Sequence, residues 1–233
     1  MLGQLVYRDN GRGRAERIQL YDLPLLRAEI PTAGLWRQHR LHRAARQLFR
    51  HQVRLALVPE GFSQWEALRQ WSISPVDTTP LLRALSAPLA LVALADLGID
   101  PAQATVTLLG RDGDRDIART AQALCPQVRH LVLSSQGLAD WLRREYGIPV
   151  LPPDSPSQLT ICFGAYPHRP SSPVLDLSAG SAGLAGLVLS CPALKPEDQQ
   201  KLSLLTALWQ HGKISLSEIK VFHAGTRPTF SPP

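Results

Sequence analysis

Between Leu81 and Leu177 the apolar positions fall into short runs that alternate in period, and the rest of the chain reads outward from there. Thr105-Val-Thr-Leu-Leu-Gly110 is a β-branched apolar run ending on glycine, the pattern of a buried strand. Leu81–Gly98 before it has helical spacing, broken by Pro88, so a kink or a restart at Ser86 is expected. Thr79-Pro80 supplies a cap and a first-turn proline for that helix. After Gly110 the pattern predicts a helix over 116–123, a strand over 128–134 and a helix over 137–146 ending at Gly147. Strands over 148–151, 159–164 and 173–178 complete the series. Strands alternating with helices in this way specify a Rossmann-like α/β fold, a parallel sheet with helices on both faces.

Upstream the pattern is weaker. Gln4–Tyr7 and Arg17–Tyr21 flank a polar Asn10-Gly-Arg-Gly-Arg14 turn, which predicts a hairpin. Thr32 is placed to cap a helix reaching about Gln52, with Leu41, Ala45 and Leu48 on one face. Arg54–Val58 reads as a buried strand, and Gly61–Trp71 as a short helix whose tryptophans, like Trp36, are expected in the core. Downstream, Leu187-Val-Leu is a further strand and 196–211 a helix. The domains expected are a small basic α+β lobe over 1–78, a Rossmann-like domain over 79–225 and a Pro-rich tail over 226–233.

Charge changes this picture in one place. Ten arginines but only four acids lie in residues 1–50, which accounts for the whole net charge of +6. Arg40, Arg43, Arg46 and Arg50 share the face opposite the apolar stripe, a surface that could meet phosphates or a protein partner. No recognition motif accompanies them, so a solvated face is the simpler reading and nucleic acid is not the expected partner. Three widely spaced cysteines with no Cys-x-x-Cys pair predict a reduced, cytoplasmic chain, and no apolar run is long enough to span a bilayer.

The run Thr79-Pro80…Leu89-Ala-Leu-Val-Ala-Leu-Ala-Asp-Leu-Gly98…Thr105–Gly110 resembles the entry to one group of Rossmann cofactor domains. These are the shikimate dehydrogenases, methylene-tetrahydrofolate dehydrogenases and the dipicolinate synthase A subunit. The resemblance covers roughly residues 80–180 and implies a nicotinamide dinucleotide across the turn after the central strand. The chain departs from that pattern in three respects. The turn is Gly110-Arg111-Asp112-Gly113-Asp114-Arg115-Asp116, with two of the glycines and three aspartates. Each carboxylate about 4 Å from a phosphate would cost on the order of 4 kcal/mol at an effective dielectric near 20. Ser134-Ser135 stands where an acid would hold the ribose of NAD; two serines could accept the 2′-phosphate of NADP, although no arginine directly follows them. The catalytic lysine that the resemblance implies for shikimate dehydrogenases has no counterpart, because lysine is absent before Lys195.

The expected ligand site therefore comprises Gly110, Arg111, Asp112, Gly113, Asp114, Ser134 and Ser135, with Tyr166 and His168 in the Gly164–Pro170 loop, and Asp176. Tyr166, His168 and Arg169 could hold or protonate a small anion. The aspartate alternation could ligate a divalent cation, but capping of helix amides explains it more simply, and no metal is expected. The reading that follows is a non-catalytic binding or regulatory module, without cofactor, for a small anionic ligand or a protein partner. Its alternatives are an NADP-dependent oxidoreductase with an atypical turn and His168 as acid, and a nucleic-acid-binding protein using the arginine face.

Overall fold

The computed structural model describes residues 1–9, 11–111, 113–133, 136–164 and 171–225. The chain divides into two compact units, Met1–Asp77 with Ser203–Ser215, and Thr78–Leu202 with Leu216–Pro233. Among the described residues no helix is long and apolar enough to cross a membrane. None of the three cysteines is in a disulfide, and burial pushes the Cys191 thiol up.

The first unit contains β1 (Leu2–Tyr7), β2 (Ala15–Leu20), β3 (Leu23–Ile30), α1 (Arg37–Arg50), β4 (Leu55–Leu57), α2 (Trp65–Arg69) and β5 (Ser74–Pro75). Its sheet has the order β2-β3-β1-β4-β5 and is parallel except at β2. The hairpin expected between the first two strands is not formed. β1 carries buried Leu2 and Leu5 and takes the centre, pairing in parallel with β3 and β4. The hairpin joins β2 to β3 instead, through Tyr21 and Asp22, whose φ values of 51° and 59° make a left-handed pair matched to strand twist. Polar β2, with Glu16 and Arg17 exposed, is left at the edge.

Helix α1 buries Leu41, Ala44, Ala45 and Leu48 against β3 and α2. It starts at Arg37, later than expected, because Thr32 directs its hydroxyl to Asp9 rather than to helix amides. Trp36 consequently lies outside the core, 67% exposed, whereas Trp65 and Trp71 pack half-buried against it.

The second unit begins with α3 (Thr79–Ala84) and α4 (Ser86–Asp96), and the restart at Ser86 places Pro88 in the first turn, where its missing N–H is harmless. Thr78, not Thr79, is the capping position, and it makes no side-chain cap bond. There follow β6 (Thr105–Leu109), α5 (Arg115–Leu124), β7 (His130–Leu133), α6 (Gln136–Tyr146), β8 (Val150–Leu151), β9 (Leu159–Cys162) and β10 (Val174–Asp176). These strands form a fully parallel sheet, order β10-β9-β6-β7-β8. β6 and β9 are buried throughout apart from half-buried Leu109, as expected of parallel strands covered on both faces.

Two polar pairings fix the frame. Thr105 donates its backbone N–H to the Gln158 side chain at 2.7 Å while Gln158 N–H donates back to the Thr105 carbonyl at 3.0 Å. This clamp pins the β8–β9 connection to the start of β6. Between α4 and α5, buried Ser86 and Thr120 hydroxyls lie 2.5 Å apart. Thr120 gives its proton to the Asp116 carbonyl, so Ser86 is the donor between them. Beyond β10 come β11 (Leu187–Ser190) and β12 (Lys220–His223), which pair antiparallel; between them α7 (Leu202–Gln210), shorter than the expected 196–211, belongs from Ser203 on to the first unit.

Candidate functional site

The order of the second sheet puts the site. The chain leaves β6 through α5 to β7 on one side, and later enters β9 on the other side of β6. Such a reversal opens a crevice beyond the C-terminal ends of the two central strands. Its floor is Gly110 after β6 and Phe163 after β9, with Phe163 N–H donating to the Leu109 carbonyl at 2.8 Å. A Cβ on Gly110 would stand 2.3 Å from Ile117 Cδ1 and 3.3 Å from Phe163 Cβ, so any side chain here requires Ile117 or α5 to shift. Gly113 has φ +75°, which glycine alone adopts freely. Gly110 thus serves close packing of α5 and Gly113 a left-handed turn, while Asp112 and Arg115 stand where the dinucleotide pattern has its second and third glycines.

Two acids of this turn, Asp114 and Asp116, are engaged, whereas Arg111 and Arg115 are exposed. Asp114 caps α5, its Oδ1 accepting from Asp116 N–H at 2.9 Å. Arg83, from α3, reaches both acids, 3.4 Å from Asp114 Oδ2 and 3.5 Å from Asp116 Oδ2, and donates to the Phe163 carbonyl. The Arg83–Asp114 pair is about three-quarters buried or more. Arg119 adds a looser contact to Asp116 at 3.8 Å. The crevice therefore holds a cation bridging two carboxylates beside a helix N-terminus. Sequence reasoning missed Arg83. Its signal was available, as the sole charge between Asp77 and Asp96 in an otherwise apolar helical stretch.

Of the other expected site residues, Arg111 is exposed on the turn. Asp176 ends β10, where its Oδ1 accepts from Ser178 N–H at 2.9 Å and Ser178 Oγ at 2.6 Å, a local turn. Asp112, Ser134, Ser135, Tyr166, His168 and Arg169 lie outside the described residues. No group of three His, Cys, Asp or Glu side chains among the described residues could hold a metal ion.

In the first unit the arginines of α1 divide. Arg40 is half-buried and donates to the Gly11 carbonyl at 2.9 Å, while Arg43, Arg46 and Arg50 are exposed. Arg37 donates to the Tyr7 hydroxyl at 3.1 Å and lies over its ring.

No family model matches the chain, and no curated protein matches it. Among solved structures it is similar to L-tryptophan dehydrogenase from Nostoc punctiforme, at 13% identity and TM-score 0.29, over 60% of this chain and 43% of that one. D-2-hydroxyisocaproate dehydrogenase matches at 12% and 0.25, over 61% and 48%. D-mandelate dehydrogenase from Rhodotorula graminis matches at 14% and 0.28, over 79% and 64%. The chain thus spans less than two thirds of the length of each.

Proposed function

We propose that the second unit binds a dinucleotide of the NAD(P) type across the C-terminal ends of β6 and β9, and that the chain is an NADP-dependent oxidoreductase. The observation that carries this reading is the β10-β9-β6-β7-β8 order, whose reversal at β6 opens the crevice that dinucleotides occupy in doubly wound sheets. The local residues fit in part. Gly110 and Gly113 serve close packing of α5 and a left-handed turn, and Arg83 is a cation within reach of a diphosphate seated there. Such a cofactor supplies the hydride. This chain's own contribution would be to hold the phosphates, for which Arg83, beside Asp114 and Asp116, is the cation on hand.

A second reading is favoured by Asp114. Its carboxylate already caps α5 and pairs with Arg83, filling the place of a phosphate with the protein's own charge. On that reading the unit is a non-catalytic module for a small anionic ligand or a protein partner.

Calorimetric and thermal-shift titration with NADPH, NADP, NADH and NAD separates the two. Under the first, NADPH at about a hundred times its dissociation constant stabilises the chain by roughly 2.7 kcal/mol, and Arg83→Met removes most of the binding. Silence from all four ligands sinks the oxidoreductase reading and leaves the second.

A further inference from the structure

The first unit has its own open, largely parallel sheet, and the space beyond the C-terminal ends of β1 and β3 is lined by arginine. Gly11 and Gly13 follow β1 and press onto the end of β3. Gly13 N–H donates to the Glu29 carbonyl at 2.8 Å, and a Cβ on Gly11 would fall 2.7–2.9 Å from backbone atoms of Glu29 and Ile30. This packing projects Arg12 and Arg14 beside the first two turns of α1. Between them is a cavity of about 300 Å³ lined by Arg12, Arg14, Trp36, His39, Arg40 and Arg43, with no carboxylate in its wall. An adjoining cavity of about 430 Å³ shares Arg12 and Arg14 and continues past Arg8, Glu16 and Glu29. Arg8 neutralises Glu29 there at 2.5 Å. The first turn of α1 carries no acid and no side-chain cap.

We propose that this groove binds single-stranded nucleic acid, phosphates on Arg12, Arg14, Arg40 and Arg43 and one base on Trp36. The indole is two-thirds exposed and meets the His39 ring edge-on at 6.3 Å between centroids, so a flat face is presented beside the cations. Stacking of a base on such a ring is sequence-tolerant, which suits a groove with no side-chain amide among its described lining residues. The cations also extend in a line. Exposed Arg43, Arg46 and Arg50 span about 10 Å of helix at 1.5 Å per residue, a track for a chain of phosphates rather than one phosphate group.

The test is fluorescence anisotropy of the full chain with a labelled twelve-nucleotide oligo(U), across 50–200 mM salt. Six arginines, Arg12, Arg14, Arg40, Arg43, Arg46 and Arg50, each meeting one phosphate of a single strand, give a log–log slope near −4.2, so affinity should fall roughly 300-fold over that range. Trp36→Ala should weaken binding about tenfold, and an abasic strand should lose a similar factor. Arg43→Glu with Arg46→Glu should abolish it while leaving the thermal melt unchanged, since neither side chain is buried. Several results would overturn the proposal. They are no binding, binding indifferent to Trp36 and to the bases, equal affinity for ATP, or equal affinity for poly-glutamate.

Discussion

Each unit places two glycines just after the first strand of a parallel sheet, yet the two turns arrive at opposite electrostatics. In Gly11-Arg12-Gly13-Arg14 the glycines are forced by backbone, since a Cβ would meet Ile30 and Arg40 main-chain atoms. In Gly110–Asp116, Gly110 is forced by a side chain, Ile117, while Gly113 faces open space and is needed only for its left-handed φ. The first turn leaves Arg12 and Arg14 lining a cavity. The second sets Asp114 and Asp116 against Arg83 from α3. Glycine makes the close approach possible in both. What surrounds it decides whether charge is offered outward or cancelled within.

Substitutions at Gly13, Gly110, Asp114 and Gly113 probe that contrast. The largest loss is expected for Gly13→Val, which combines a left-handed φ of 66° with a 2.5 Å approach to the Arg40 carbonyl that cannot swing away. Left-handed strain and overpacking together put it at roughly 3 kcal/mol or more, read from the urea midpoint at constant slope. Gly110→Ala should cost about 1–3 kcal/mol by overpacking, and Ile117→Val should recover part of it, because the clash is with one terminal methyl. A double-mutant cycle showing no coupling would mean that α5 simply shifts away.

Asp114→Ala removes the cap of α5 and one partner of Arg83, for about 1 kcal/mol, whereas Asp114→Asn should keep most of the cap. If both lose equally, the ion pair matters more than the cap. Gly113→Ala is smallest, about 1 kcal/mol or less, from φ alone. A loss as large as that of Gly13→Val would erase the distinction between the turns.

The central alternation was legible because glycine and proline punctuate it. Gly110 and Gly147 close elements where expected, and Pro88 marks the α3–α4 break. β3 was not legible, since Leu23-Pro-Leu-Leu-Arg-Ala-Glu-Ile30 has neither clean alternation nor a glycine before it. Its turn uses Tyr21 and Asp22 in a conformation that tyrosine rarely advertises. The start of α1 was misplaced because Thr32 can satisfy either helix amides or Asp9, and only tertiary structure chooses. Arg83 escaped for a related reason: its partners Asp114 and Phe163 are 31 and 80 residues away in sequence.

The β8–β9 connection, residues 152–158, carries no helix, and the element packed on β9 is α4, made before any strand of that sheet. During synthesis Leu94 emerges 65 residues ahead of Leu159. At roughly 5–20 residues per second, the apolar flank of α4 waits about 3–13 s for the strand it will cover. For that interval it is a surface that a ribosome-associated chaperone would recognise.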